Sequence, residues 1–452
     1  MKISVTEQFI EGLIIRSHKI SIKARNKARY CLLDYLGVAV GGFKYNEKRH
    51  PDLLSELKKE TGSYSVFGNC AKTSEQSATL LNGFCAHVLE LDDGHRHGMI
   101  HLGASIISSV LAAAEKEKLS SECVLCGIVM GYEVAVRCAR SIQPGHKVRG
   151  YHVSGTCGTI GTAIGIAFAC GYNKEQLKST LSCAVTSAAG LLEIQEQASE
   201  LKPFNIGHAA VEGLLAAKIG KLAIPGPDDV LGGKRGFLAA LTDTPHPEFL
   251  TVFNDVEYAI EGIYQKVHAA CRHCHPAIDA TLDIQKELKI QPEEIDKIEV
   301  HTYKLAVGSH DHTDIRGISS AKLSTPFAVA LAIAKGSAGF ADYNEDNLND
   351  YWIKNLTRKV SVIEDDDLTR RSPDVRAARV TIYLKDGRVF EAPCMYPKGE
   401  PENPLTQDEF ENKFRGLATY GGLTKSECDE VLCEMSKEDF SISKILGIVC
   451  RE

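Results

Sequence analysis

The stretch NGFCAHVLELDDGHRHGMIHLGA, residues 82–104, sets the reading of the whole chain. It starts as a helical pattern, with Phe84, Val88 and Leu91 on one face, then breaks into a polar run carrying Asp92, Asp93, His95, His97 and His101. The apolar pattern resumes at once in IISSVLAAAE. Two carboxylates and three imidazoles therefore lie on a short connection between two helices that both read as buried. Such a connection has its side chains positioned by a rigid scaffold, which suits chemistry. Asp92 and Asp93 before Gly94 also fit a solvated turn, and His101, beginning the next helix, fits a capping group. Metal binding is a third reading, although these spacings match no common site.

Outward from this stretch the helical pattern continues. Residues 22–41, 74–91, 104–116, 121–139, 156–169, 174–192 and 208–221 carry apolar residues at helical spacing. They are rich in Ala, Gly, Ser and Cys, small residues that let helices approach closely, which predicts a compact bundle. Composition shifts near residue 266. A helix over 277–289, a strand over 297–305 and the helix TPFAVALAIAKG lead to RAARVTIYLKDGRVFEAP, a hairpin turning at Asp386-Gly387. The tail returns to helices over 407–416 and 424–435. The expected fold is mainly α with an α+β part. A large all-helical domain comes from residues 1–265 and 405–452, and a smaller α+β domain from 266–404.

Composition narrows the function. The chain has 452 residues, 44% hydrophobic and 25% charged, with 52 basic against 59 acidic side chains and a net charge of -7. With no basic block, nucleic acid is excluded as the expected partner, while a local cluster of cations can still take an anionic substrate. No run approaches the roughly 20 apolar residues of a membrane span. The start, with Glu7 and Glu11, lacks the order of a secretory signal. Fifteen cysteines, an odd number scattered through apolar patterns, point to a reducing, cytoplasmic setting.

Three further stretches carry chemistry. RGYHVSGTCGTIG, residues 149–161, has glycines but neither the G-x-G-x-x-G order nor a preceding strand, so a dinucleotide site is excluded. It reads as a helix N-terminus with Ser154 as N-cap and His152 beside it to meet a carboxylate, or as close packing alone. In ELKPFNIGH, residues 200–208, Lys202 by itself reads as a surface charge. KVHAACRHCHP, residues 266–276, brings Lys266, His268, Cys271, Arg272, His273, Cys274 and His275 together. Its C-x-x-C suggests zinc, but lacks a second ligand pair outside a helical pattern, and anion binding with acid–base work is the stronger reading.

Taken in order, NGFCAHVLELDD with His101, YHVSGTCG, KPFNIGHAA, K-x-H-x-x-C-R-x-x-H-P and AKLSTPFAVA resemble the MmgE/PrpD family across nearly the whole chain. That family includes 2-methylcitrate dehydratases, cis-aconitate decarboxylases and iminodisuccinate epimerases. The resemblance implies a helical domain with an α+β lid, usually a homodimer, and a lyase for a di- or tricarboxylic acid that needs no cofactor or metal. It places Asp93, His101, His152, Lys202 and His275 around a cleft between the domains as catalytic groups. His101 and His152 would handle protons and Asp93 would orient an imidazole. Lys202, Lys266 and Arg272 would hold carboxylates, with Ser154, Gly155, Lys322 and Phe327 as further substrate contacts.

Departures from the family pattern keep other readings open. Leu102 stands where a proline is common, and Phe327 where many members carry a tyrosine, whose hydroxyl can donate a proton as phenylalanine cannot. An epimerase or racemase of a dicarboxylate therefore stands beside the lyase. His95, His97, His268 and His273 have no place in the pattern. From a different class, a zinc-stabilised, non-enzymatic helical scaffold could rest on residues 271–275.

Overall fold

A computed structural model describes residues 3–196 and 199–450; residues 1, 2, 197, 198, 451 and 452 of the domains read from sequence lie outside the described residues. The chain forms two compact units. One comprises Met1–Ile194, Leu201–Ile263 and Thr406–Glu452, the other Gln195–Glu200 and Tyr264–Leu405.

The first unit is helical, and its helix starts are written locally. Ser21, Ser74, Ser120, Asn173, Thr406 and Thr424 each precede a helix, and their side chains accept the backbone N–H three residues on. Helix Val153–Ala169 buries every residue except Phe168, as a helix apolar on all sides must. Helix Ser121–Ile142 lies so close to it that a Cβ on Gly165 would fall 2.8 Å from the Gly127 carbonyl oxygen. Helix Gln407–Tyr420 packs on Ile22–Arg49. There Lys413 Nζ sits 2.6 Å from Asp34 and donates to the Leu91 carbonyl at 2.8 Å, fixing the loop read first in the sequence. Burial pushes the Asp34 carboxyl up to about 6, against the lowering by Lys413.

Three local expectations change. Helix Lys202–Gly220 begins at Lys202 rather than 208, because Pro203 occupies the first turn, where a missing N–H costs nothing. Helix Gly103–Glu117 begins beyond His101. His152, not Ser154, holds the N-cap of Val153–Ala169, with no side-chain cap bond, and Ser154 stands inside the first turn.

The second unit carries a four-stranded sheet in the spatial order Val360–Glu364, Ile295–Thr302, Ala378–Leu384, Val389–Cys394. The expected hairpin is present, with Ile382 opposite Phe390 and Gly387 at φ 90° in the turn. Val360–Glu364 adds a parallel edge, pairing Ile298 with Val360. Helices His275–Leu288 and Thr325–Lys335 pack against the sheet. Among the described residues, no helix is long and apolar enough to cross a membrane.

Candidate active site

In the helical unit, helix Glu75–Val88 ends just before the polar run, with Glu90 in the left-handed region at φ 55°. Asp92 and Asp93 are only 2% and 3% exposed, so they are not a solvated turn. Asp93 is spent on architecture. Its Oδ1 accepts the Gly103 N–H at 2.9 Å and its Oδ2 accepts the Tyr132 hydroxyl at 2.5 Å. A Cβ on Gly103 would sit 2.8 Å from that hydroxyl oxygen, which explains the glycine. Burial raises the Asp93 carboxyl, against the lowering by Tyr132 and the Gly103 amide.

The carboxylate beside the imidazoles is Asp92. Its Oδ2 lies 2.8 Å from His87 Nδ1 and 3.3 Å from His101 Nδ1. Burial alone would raise its carboxyl, but His87 and His101 bring it well below the usual carboxylate range. The expected orienting role of Asp93 thus passes to its main chain, whose carbonyl accepts the His101 Nδ1–H at 2.9 Å. That bond leaves the lone pair of the neutral His101 ring on Nε2. The His101 N–H donates to Ser154 Oγ at 3.0 Å, which is how Ser154 joins the site. His95 organises the turn instead, its Nδ1 accepting the Gly98 N–H at 3.1 Å. His97 is its ring neighbour, with centroids 5.6 Å apart.

His152 is fixed in the opposite sense. Asn205 Nδ2 lies 2.9 Å from His152 Nδ1 and 3.2 Å from the Leu191 carbonyl. A carbonyl only accepts, so the amide nitrogen faces both and donates to His152 Nδ1, leaving the His152 proton on Nε2. Burial, then the nearby Lys202 cation, hold His152 well below its ordinary value, so the ring is neutral. Lys202 is ion-paired with Glu90, and both are buried. Gly155 does not bind through an open amide. Its N–H donates to the His152 carbonyl at 2.9 Å, and a Cβ there would meet the Ala189 carbonyl oxygen at 2.5 Å, so the position serves close packing.

The α+β unit holds Lys266, Arg272, His275, Lys322 and Phe327, all buried. All five Arg272 N–H groups are used internally. Nε and Nη2 donate to Glu400 Oε1 at 3.0 and 2.9 Å, Nη2 also to the Pro397 carbonyl at 3.2 Å, and Nη1 to the Lys398 carbonyl at 3.0 Å and His275 Nδ1 at 2.9 Å. The guanidinium expected to hold a carboxylate is therefore fully hydrogen-bonded within its own unit in this arrangement. His275 is likewise enclosed. Its Nδ1 accepts from Arg272 and its Nε2–H donates to the Ala270 carbonyl at 3.2 Å. Burial, then Arg272, hold it well below its ordinary value. Both nitrogens of this ring, expected among the catalytic groups, are thus hydrogen-bonded within the unit.

His268 pairs with Asp279 at 2.6 Å. The Lys322 carbonyl accepts the Cys271 N–H at 2.8 Å. Phe327 is 1% exposed and packs on Tyr343 with ring centroids 6.0 Å apart. Among the described residues, two groups of three side chains have ligand atoms within 4.8 Å of one another, His87–Asp92–His101 and Cys271–His273–His310. The C-x-x-C does not supply a pair, since Cys274 is buried and its Sγ accepts from Thr325 Oγ1 at 3.4 Å.

Four site residues escape the sequence reading. His87 stands in the opening stretch, five residues before Asp92. Asn205 lies one helical turn from Lys202, a spacing that puts both on one face. Glu90 is marked by nothing but its charge, and Tyr132 by nothing local at all.

Comparisons with known families and proteins cover both units. Models of the MmgE/PrpD N-terminal and C-terminal domains match residues 8–250 and 268–437. A cis-aconitate decarboxylase-like protein of Aspergillus oryzae is 24% identical over 416 residues, 87% of this chain and 86% of that protein. The cis-aconitate decarboxylases of Mus musculus and Aspergillus terreus are each 24% identical, over 434 and 428 residues. They match 92% and 87% of this chain and 87% and 84% of their own lengths.

Proposed function

Because the chain belongs to the MmgE/PrpD family, we propose that it is a lyase acting on a di- or tricarboxylic acid, with proton transfer at a carbon next to a carboxylate. The opposite tautomers of His101 and His152 carry this reading. His101, anchored through Nδ1 to the Asp93 carbonyl and beside the Asp92 carboxylate, suits reversible protonation at Nε2. His152, locked by Asn205, suits hydrogen-bond donation from Nε2 to a substrate carboxylate or to the oxygen of a developing enolate. Lys202, held by Glu90, adds positive charge beside them.

The relatives favour decarboxylation of an unsaturated, aconitate-like acid. In that reaction carbon dioxide leaves, its bonding pair moves across the double bond, and the far carbon takes a proton from His101. In dehydration of a citrate-like acid the same ring takes the proton from carbon, the C–H bonding pair forms the double bond as the C–O bond breaks, and the departing hydroxyl takes that proton back from the ring to leave as water. A homodimer is carried forward from the family.

Incubation with citrate-like, aconitate-like and amino-dicarboxylate acids in deuterated water separates the branches. Release of carbon dioxide from the aconitate-like acid is expected. Loss of water alone would assign a dehydratase, and deuterium uptake alone an epimerase. His101→Ala should lower kcat by about 10² to 10⁴-fold. Near wild-type turnover in that variant would overturn the assignment.

A further inference from the structure

We propose that Cys271, His273 and His310 form a site for a zinc-type divalent cation in the α+β unit, built from side chains that the proton chemistry above does not use. Three features of the geometry point to it. The first is spacing. Cys271 Sγ and His310 Nε2 lie 3.7 Å apart. Zinc bonds of about 2.3 Å to sulfur and 2.0–2.1 Å to nitrogen, at a tetrahedral angle, put the two ligands about 3.6 Å apart. All three ligand atoms fall within 4.8 Å of one another.

The second feature is orientation. His310 Nδ1 donates to the Leu323 carbonyl at 2.9 Å, leaving Nε2 to face the thiol. His273 Nδ1 is bonded to the Tyr303 hydroxyl at 2.7 Å. An outer partner on one ring nitrogen that turns the other inward is the usual support of a ligating histidine. Main-chain bonds hold the segments in register, Cys271 N–H to the Lys322 carbonyl and Thr325 N–H to the His310 carbonyl, each at 2.8 Å. The site is therefore organised before any ion arrives.

The third feature is ligand chemistry. Two imidazole rings lie stacked 4.9 Å apart at 22° beside the thiol, which gathers one sulfur and two nitrogen ligands at one point. A thiolate with two imidazoles selects zinc over magnesium or calcium. Cys271 and His273 are partly exposed and His310 is buried, so an ion can enter from solvent and keep a water as fourth ligand. The other trio does not fit as well. Asp92 Oδ2 is only 2.8 Å from His87 Nδ1, a hydrogen-bond distance shorter than two ligands keep around one ion. A cation on Cys271 and His273 would grip the residue between them, Arg272, and through it His275.

The test uses the full chain, stripped with a chelator and titrated with zinc alone. One zinc per chain is expected, with a thiolate-to-metal charge-transfer band when cobalt replaces it. Cys271→Ser should abolish the band, and His310→Ala should weaken zinc by about 10- to 100-fold. Zinc should also protect Cys271 of the wild-type chain from alkylation while the exposed Cys70 and Cys433 still react, a measurement that needs no variant to fold. Absence of stoichiometric zinc, binding that survives both substitutions, or alkylation of Cys271 unaffected by zinc would overturn the site. None of these outcomes bears on the proton chemistry of His101.

Discussion

Two buried polar clusters, one in each unit, use the same residue types to opposite ends. In the helical unit, His101 and His152 are anchored through Nδ1, one to a carbonyl and one to an amide N–H. In the α+β unit, His275 is anchored through both nitrogens and Arg272 through all five N–H groups. A buried polar group satisfied entirely within the chain holds shape, and a ring fixed on one side has its other nitrogen aimed.

The largest effect that sharpens this contrast falls on stability. Glu400→Ala leaves the buried Arg272 charge uncompensated and should cost about 3–5 kcal/mol, read as a lower midpoint in urea unfolding. A cost below about 1 kcal/mol would mean that the guanidinium finds another partner and that the cluster is not closed. Next comes Asn205→Leu in the helical unit. It removes the donor that fixes the His152 tautomer and should lower kcat by about 10- to 100-fold, with KM far less affected. Unchanged turnover would place His152 with His275 among the structural rings.

The third effect is on pH dependence. Burial first, then neighbouring cations, depress His152 and His275 well below 6.5, and burial brings His146 down to about 4. Each depressed imidazole contributes stability that is present above pH 6.5 and is lost as pH falls toward its folded value, by up to about 1.4 kcal/mol per unit. Asp34, raised to about 6, and Asp93, also raised, act in the opposite sense, since the folded chain takes their protons first. Three imidazoles against two carboxyls predict a lower Tm at pH 5 than at pH 7. An unchanged Tm would show that the rings are not held neutral.

Much of the fold was legible. Apolar residues at helical spacing marked helices, Asp386-Gly387 turned the hairpin, and small residues marked the tightly packed helix pair. The polar loop over 92–101 was legible as a candidate site because two carboxylates and three imidazoles interrupt a buried pattern. Its division of labour was not. Nothing local distinguishes Asp92, which faces two imidazoles, from Asp93, which holds a helix start and a tyrosine.

The sequence by itself determined the helices, the hairpin and the family, because turn preference, periodicity and short motifs act over a few residues. Only the tertiary structure decided which charges are spent and which are aimed. Arg272 meets Glu400 across 128 residues, and Asn205 meets His152 across 53. Such partners are brought together by packing of whole elements, and burial then sets the protonation state of every group they enclose.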